Sequence, residues 1–392
     1  MTEHATVPSY DADLYCDAVL ADPYPHYAAL REAGPAVWLT KHAMWAIARF
    51  DGVRAALRNP AVFSSAHGVA ANDTVNAMSA GNTLASDAPL HDTLRRVIVA
   101  PLRVAALEDI RERITNEAEA LVARLVARGS FDAVTDLAQH LPLTIVSELV
   151  GLPDSGRERM LEWAAATFDV LGVLNERGTA AMASITAMRH YVVHEATPDK
   201  LRPGSWAKRI YEAADRGEVE PERCPALMRD YLGPSLDTTI FATANLILLF
   251  ARYPDQWDIL RGDPSLIPNA VNEAIRLESP IRGFTRYVTG DHDAGGITLP
   301  AGTRALLLYA SANRDERAWD EPERFDIRRR TTQQLGYGHG VHICAGMHLA
   351  RLEMHALLAA LLPRVRRFEA GPPVYALNNV LRGLKHLPVT VS

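Results

Sequence analysis

Apolar positions recur along most of this chain at intervals of three and four, the spacing that lines up side chains on one face of a helix. "YPHYAALREAG" and "GVRAALRNP" read as short helices closed by Gly or Pro. The long amphipathic run "HDTLRRVIVAPLRVAALEDIRERITNEAEALVARLVARGS" is split by Pro101 into two helices. Further helical segments are expected at about 139–150, 155–172, 176–195 and 205–216, then an unusually long one at about 223–252 that ends before Pro254. "LIPNAVNEAIRLESP" places Pro268 in a first turn and Pro280 beyond the end. Strand patterns are few: "AVWLT", "MWAIARF", "FTRYVTG", "GITLPAG" and "RALLLYASA". Residues 313–343 lack periodicity and are rich in Arg and Gly, and "AGMHLARLEMHALLAALLPRV" is helical again. The pattern predicts one mainly helical domain over residues 1–392, with small β-sheets at its margin.

Composition narrows the function classes. A net charge of −6 spread over 392 residues leaves no footprint for nucleic acid or an anionic membrane. Three cysteines far apart, Cys16, Cys224 and Cys344, argue against a disulfide framework and fit a reducing cytoplasm. The N-terminal stretch lacks a basic segment followed by an apolar one, so no targeting segment is expected. The longest apolar block, "IFATANLILLFARYP", is interrupted by Asn245 and Arg252 and reads as a buried helix, not a membrane span.

The candidate chemistry sits in "LGYGHGVHICAGMHLARLE", residues 335–353. Gly336, Gly338, Gly340 and Gly346 allow sharp turns and close approach to a flat partner. Cys344 stands at the start of a helix, where free N–H groups favour a thiolate, a soft metal ligand. Two other readings are open on these residues alone. One is a zinc cage of His339, His342, Cys344 and His348, although the spacing matches no common zinc pattern. The other is a buried structural cysteine in a Gly-rich turn.

"YGHGVHICAG" resembles the haem-ligand signature of the cytochrome P-450 enzymes, Phe-Gly-x-Gly-x-His-x-Cys-x-Gly, with Tyr337 in place of Phe. "LARLE" continues the match, and the family's other motifs follow in order over nearly the whole chain. "NEAIRLESP" carries Glu273 and Arg276 as the Glu-x-x-Arg pair, and "EPERFDIRR" supplies Arg324, which the resemblance makes the third member of a buried ion network. The resemblance implies the P-450 fold, heme b as cofactor and Cys344 as the iron ligand. Gly338 and Gly346 would pack on the porphyrin, and His91, Arg95, Arg286 and His342 would hold its propionates. In "YLGPSLDTTIFATAN", Asp237 and Thr238 match the acid–alcohol pair that relays protons during oxygen activation.

Pro234–Ser235 depart from the family's two small residues. Pro234 should kink the helix, and its carbonyl is placed to accept the Thr238 hydroxyl, with Ser235 as a second hydroxyl. The same departure leaves peroxide-driven peroxygenase chemistry open as an alternative. Asp237–Thr238 speaks against a non-enzymatic haem sensor, which needs no proton relay.

"NNVLRG", "LRGLKHLPV" and "ESPIRGFTR" look most like the branch that hydroxylates or O-demethylates para-substituted benzoates. That implies dioxygen and a small aromatic substrate, with oxidation of an unrelated natural-product intermediate as the alternative. Phe168, Leu171, Pro234, Leu236 and Phe284 are the candidate pocket walls. The loop "AANDTVNAMSAGNTLASD" lacks the branch's carboxylate-binding arginine. Asp230, two helical turns before Asp237 and expected on the same face, would repel a carboxylate, so a neutral or donor-bearing substrate is expected. Electrons are expected from a ferredoxin and its reductase, docking on a basic face with Arg96, Arg103 and Arg351, to a monomer in the cytoplasm.

Overall fold

The computed structural model describes residues 7–392; residues 1–6, part of the stretch expected to carry no targeting segment, lie outside it. A six-stranded sheet forms from β1 (Ser9–Tyr10), β2 (Val37–Leu39), β3 (Met44–Ile47), β4 (Phe63–Ser64), β5 (Phe284–Val288) and β6 (Arg304–Leu307), in the order β1-β2-β3-β6-β5-β4. β5 and β6 run antiparallel with Arg286 opposite Ala305, which fixes where the Arg286 side chain leaves the sheet. "GITLPAG" contributes only Thr298–Leu299, paired with His292–Asp293. The pattern gave no sign of the C-terminal strands, where Phe368–Ala370 and Ser130–Asp132 flank Pro388–Val391 and Val374–Leu377 pairs with Arg382–His386.

Eight helices shape the interior: α1 (Leu90–Val99), α2 (Val104–Arg128), α3 (Met160–Leu171), α4 (Glu176–His194), α5 (Cys224–Leu232), α6 (Asp237–Arg252), α7 (Ile267–Leu277) and α8 (Met347–Leu361). Pro101 separates α1 from α2 through one 3-10 turn, as its missing N–H requires. Gly129, at φ 75°, caps the C-terminus of α2. α8 packs along α2, and α3 and α4 form an antiparallel pair.

Two expected helices are interrupted. Residues 139–150 form the end of one π-helical turn, a second at Pro142–Val146 and the short helix Ser147–Val150, because Pro142 cannot continue an α-helical ladder. The segment expected at 223–252 is two helices, α5 and α6, broken across Gly233–Leu236. The Gly233 N–H still reaches the Arg229 carbonyl at 3.0 Å, but Pro234 offers no donor, and the next ladder starts at the Leu236 carbonyl. This run is long and apolar enough to cross a membrane by composition, yet most of it is buried inside the protein as a core element.

The irregular segment after residue 312 is pinned by a buried ion network. Glu273 and Arg276 on α7 are both fully buried and joined by two bonds, at 2.7 and 2.9 Å. Arg276 also donates to the carbonyls of Asn313, Pro322 and Arg324. Arg329, not Arg324, is the third charged member: its Nε donates to Glu273 at 3.1 Å. The Arg324 side chain instead pairs with exposed Glu321, because the chain coils back and brings the guanidinium five residues further on to Glu273.

Removing one partner of a buried pair leaves the other charge uncompensated. Arg276→Ala should therefore cost about 3–5 kcal/mol in urea unfolding followed by circular dichroism. Arg324→Ala should stay within about 0.5 kcal/mol of wild type, as for an ordinary surface residue.

Candidate active site

The Gly-rich loop is wedged between α7 and the helix Phe50–Leu57. A Cβ on Gly336 would lie 2.5 Å from Ile275 Cγ2, and one on Gly340 would lie 2.2 Å from the Leu57 carbonyl oxygen. Gly338 and Gly340 have φ of 72° and 71°, where a side chain is strained. Inside the turn the Cys344 N–H donates to the Tyr337 carbonyl at 2.8 Å. The Cys344 thiol opens onto an internal cavity of about 320 Å³, and no atom lies within 4 Å of a Cβ placed on Gly346. Burial pushes the Cys344 thiol up, opposed by the Gly346 N–H and by Arg95 and Arg351. Among the described residues no three His, Cys, Asp or Glu side chains converge on a metal, so the zinc cage is not formed.

Beside the thiol, four cationic or imidazole groups gather. The His91 and His342 rings lie 4.3 Å apart, and the Nε2 of each is buried without a partner. Burial, then Arg286, His91 and Arg95, lowers the His342 pKa to about 3. Arg286 is buried, and Arg95 donates to the Ile343 carbonyl, tying α1 to the cysteine loop. A cluster of donors whose one acidic partner is the exposed Asp92, 3.1 Å from His91 Nδ1, fits a ligand carrying carboxylates, and a single thiol over an open, glycine-floored space fits a haem iron. These residues therefore fit a haem. His91 meets His342 edge to face and is not part of the cavity lining, whereas Arg95, Arg286, His342, Gly338 and Gly346 line it.

On the opposing wall the helix break exposes the Pro234 carbonyl, and Thr238 Oγ1 donates to it at 3.0 Å, as the sequence implied. Ser235 Oγ is turned to the Tyr231 carbonyl. Thr238 lines the cavity, while Asp237 stands behind it, nearly buried and accepting no hydrogen bond. Burial, reinforced by Asp169, raises the Asp237 pKa to about 7.

Phe168, Leu171, Phe284, Pro234 and Asp230 line the cavity, as expected. Leu236 does not: it lies at the helix break and is fully buried in the core. The break also separates Asp230 from Asp237, so the two do not share a face. Asp230 accepts the Thr83 N–H at 3.0 Å, and its burial raises its pKa to about 6.

Two arginines outside that loop reach the cavity. Arg189 on α4 and Arg229 on α5 both line the cavity, and Arg189 donates to the Met78 carbonyl at 3.0 Å. Burial and the neighbouring Arg189 lower the Arg229 pKa to about 10. The sequence carried a signal for Arg189: it follows Ile185 and Met188 at helical spacing, and both line the cavity too. Glu353 of "LARLE" is another lining residue, fully buried, with burial raising its pKa to about 8. Arg351 is not free for docking. Its guanidinium lies 4.8 Å from the Tyr337 ring centre and donates to Asn272 at 2.9 Å, whereas Arg96 and Arg103 are exposed.

A family model described as Cytochrome P450 matches residues 207–374. The chain is 38% identical to cytochrome P450 CYP199A2 of Rhodopseudomonas palustris, over 99% of this chain and 95% of that protein. It is 30% identical to linalool 8-monooxygenase of Pseudomonas putida, over 97% of each. Among solved structures, Mycobacterium marinum CYP268A2 in complex with pseudoionone superposes with a TM-score of 0.86 at 27% identity, covering 98% of this chain and all (100%) of that one. CalO2 gives 0.83 at 27% identity, covering 97% and 99%. With a relative 38% identical along almost its whole length and the cysteine loop, buried Glu–Arg pair and broken helix in place, the chain belongs to the cytochrome P450 family and is an oxidoreductase of the monooxygenase type.

Proposed function

We propose that this enzyme inserts one oxygen atom into a small aromatic acid, hydroxylating the ring or removing an O-methyl group. The observation that carries the reading is the guanidinium pair Arg189 and Arg229 in the lining of an otherwise largely apolar cavity. Burial first, then repulsion from Arg189, lowers the Arg229 pKa, and one carboxylate, Asp230, does not balance both guanidinium groups. A substrate carboxylate completes the charge balance through charge-assisted bonds. Phe168, Leu171 and Phe284 supply apolar surface for the ring. The resemblance to the benzoate-oxidising branch supports the same class, reached here through arginines on two helices.

The bound heme b supplies the redox centre at which dioxygen is reduced and one of its atoms transferred. The protein's own groups do the rest. Cys344 would ligate the iron from the glycine turn, and Arg95, Arg286, His342 and, beside it, His91 would hold the propionates. Arg189 and Arg229 fix one end of the substrate so that its other end faces the reacting centre. Thr238, held by the Pro234 carbonyl, presents its hydroxyl to the cavity, and Asp237 passes protons to it. Two electrons arrive from a ferredoxin and its reductase at a surface that includes exposed Arg96 and Arg103. The whole chain acts as one haem domain, a cytoplasmic monomer.

Spin-state titration of the ferric enzyme tests the acid end. 4-Methoxybenzoate should bind at least roughly tenfold more tightly than guaiacol or an aromatic amine, as one charge-assisted bond implies. Arg189→Ala should weaken the acid by about 1.5–3 kcal/mol and leave the neutral ligand unchanged. Tighter binding of the neutral ether would remove the acid end of the reading.

The helix break generates a second expectation. With the Thr238 hydroxyl positioned by Pro234, most NADH oxidised in the reconstituted system should end as oxygenated product. Near-total diversion to hydrogen peroxide would replace the monooxygenase cycle with a peroxide-driven one.

A further inference from the structure

We propose that Asp230 is a specificity residue: it reads a hydrogen-bond donor beside the substrate carboxylate, and the preferred substrate is a small aromatic acid with a hydroxyl on the carbon next to that carboxylate. The inference rests on the acid-binding reading of Arg189 and Arg229 and deepens it.

The polar end of the cavity is built from three pieces of chain. Arg229 and Asp230 are consecutive on α5, Arg189 comes from α4, which packs on α5, and all three line the cavity. The stretch 78–83 is tied to both helices. Arg189 donates to the Met78 carbonyl at 3.0 Å, and the Thr83 N–H donates to Asp230 Oδ2 at 3.0 Å. Arg223, in the turn before α5, donates to the Gly81 carbonyl between them at 3.4 Å. One short stretch of chain thus holds Arg189 and Asp230 at the same corner, with Arg229 beside Asp230.

These groups have bonding capacity to spare. Among the described residues no hydrogen bond reaches Asp230 Oδ1 or engages the Arg229 guanidinium, and both side chains keep surface open to the cavity. Thr83, another lining residue, has its Oγ1 buried without a hydrogen-bond partner. A guanidinium only donates and an ionised carboxylate only accepts, so Arg229 calls for an acceptor and Oδ1 for a donor. A plain aromatic carboxylate serves the arginines but leaves Oδ1 facing a like charge. A ligand that satisfies both carries an anionic acceptor and a donor on neighbouring atoms, because Arg229 and Asp230 are themselves neighbours.

Charge decides which donor. Two guanidinium groups share this corner with one carboxylate, so one further negative charge neutralises it. The other charged residues of the lining belong to the thiol end: Arg95 and Arg286 act on His342, and Glu353 is on α8, the helix that follows Cys344. A hydroxy acid brings that single charge together with a neutral donor. An amino acid brings no net charge and leaves one guanidinium uncompensated in a poorly hydrated site. The substrate hydroxyl donates to Asp230 Oδ1 and accepts from Thr83 Oγ1, while the carboxylate lies against Arg189 and Arg229.

Three acids on one carbon frame test this by spin-state titration of the ferric holoenzyme. The titration is run at about pH 8, where Asp230, brought by burial to about 6 against neighbouring Thr83 and Arg229, is ionised. 4-Methoxymandelate adds only a hydroxyl to 4-methoxyphenylacetate, and 4-methoxyphenylglycine puts an ammonium in its place. The better-bound enantiomer of 4-methoxymandelate should bind at least roughly tenfold more tightly than 4-methoxyphenylacetate, and 4-methoxyphenylglycine should bind more weakly than the mandelate. In Asp230→Asn the one amide oxygen is taken by the Thr83 N–H, and the amide N–H suits a plain acid. That variant should bind 4-methoxyphenylacetate more tightly than wild type does and lose the preference for the hydroxyl. Equal binding of mandelate and phenylacetate by wild type would overturn the proposal without recourse to any variant. So would a parallel loss of both acids in Asp230→Asn, which marks a merely structural carboxylate, and so would tightest binding of the phenylglycine. Acids that bind well above 4-methoxybenzyl alcohol with no effect of the hydroxyl would sink this inference alone; acids that bind no better than the alcohol would sink the acid reading beneath it.

Discussion

The catalytic side of the molecule depends on one buried ion network. Glu273 and Arg276 sit on α7 with no exposure, and Arg276 spends its remaining donors on three carbonyls of the irregular segment after residue 312. That segment has almost no regular structure of its own, so it is held by side chains that lie outside it. Asn313 extends the hold: its Oδ1 accepts the Leu335 N–H at 2.7 Å, immediately before the glycine turn. The position of Cys344 is thus inherited from α7 through a chain of buried bonds. A buried pair of this kind is weak evidence for net stability, since desolvation opposes it. Its contribution is to make one path of an otherwise floppy segment much better than any other.

The break between α5 and α6 does comparable service on the opposite wall. A continuous helix would have satisfied every main-chain group and presented no acceptor to the cavity. Pro234 removes one donor, and the freed geometry turns its own carbonyl to the Thr238 hydroxyl. The cost in helix propensity falls on an element whose flanking turns are deeply buried among apolar neighbours, so packing sustains the interruption.

What the sequence revealed follows from locality. Cys344, His342, Gly338 and Gly346 belong to one short turn whose spacing is itself the signal, and Glu273–Arg276 and Asp237–Thr238 are helical neighbours. Residues brought in from afar were invisible or misassigned. Arg189 comes from α4, where its spacing with Ile185 and Met188 marks a shared face but not the cavity that the face meets. Arg324 and Arg329 are both plausible partners for Glu273 by position, and only the fold of the connecting turns chooses the second. Leu236 lies inside the helix break, where apolar character alone does not separate a cavity wall from the core. Counting in steps of 3.6, which puts Asp230 and Asp237 on one face, assumes an unbroken helix, and four residues of irregular backbone erase the phase. Of the C-terminal strands, Pro388–Val391 pairs on one side with Ser130–Asp132, more than 200 residues away, whereas the other pairs are local and short.

The charges around the cavity can be read together. Three sets of groups around the cavity lack a full internal charge complement: the thiol of Cys344, the donors Arg95, Arg286 and His342 with His91 on exposed Asp92, and the pair Arg189 and Arg229. Each lacks one kind of partner, respectively a metal cation, a pair of carboxylates and a single carboxylate. A haem fits the first two, and the proposed aromatic acid would fit the third. Unbalanced like charges destabilise the protein alone, and each partner relieves a repulsion as it binds, so affinity is drawn from strain already present in the fold. The order of binding follows. Haem carboxylates neutralise the cluster next to the thiol, and the apolar space that remains ends at the one cationic pair still unsatisfied, so the substrate's orientation is set by what the cofactor leaves over.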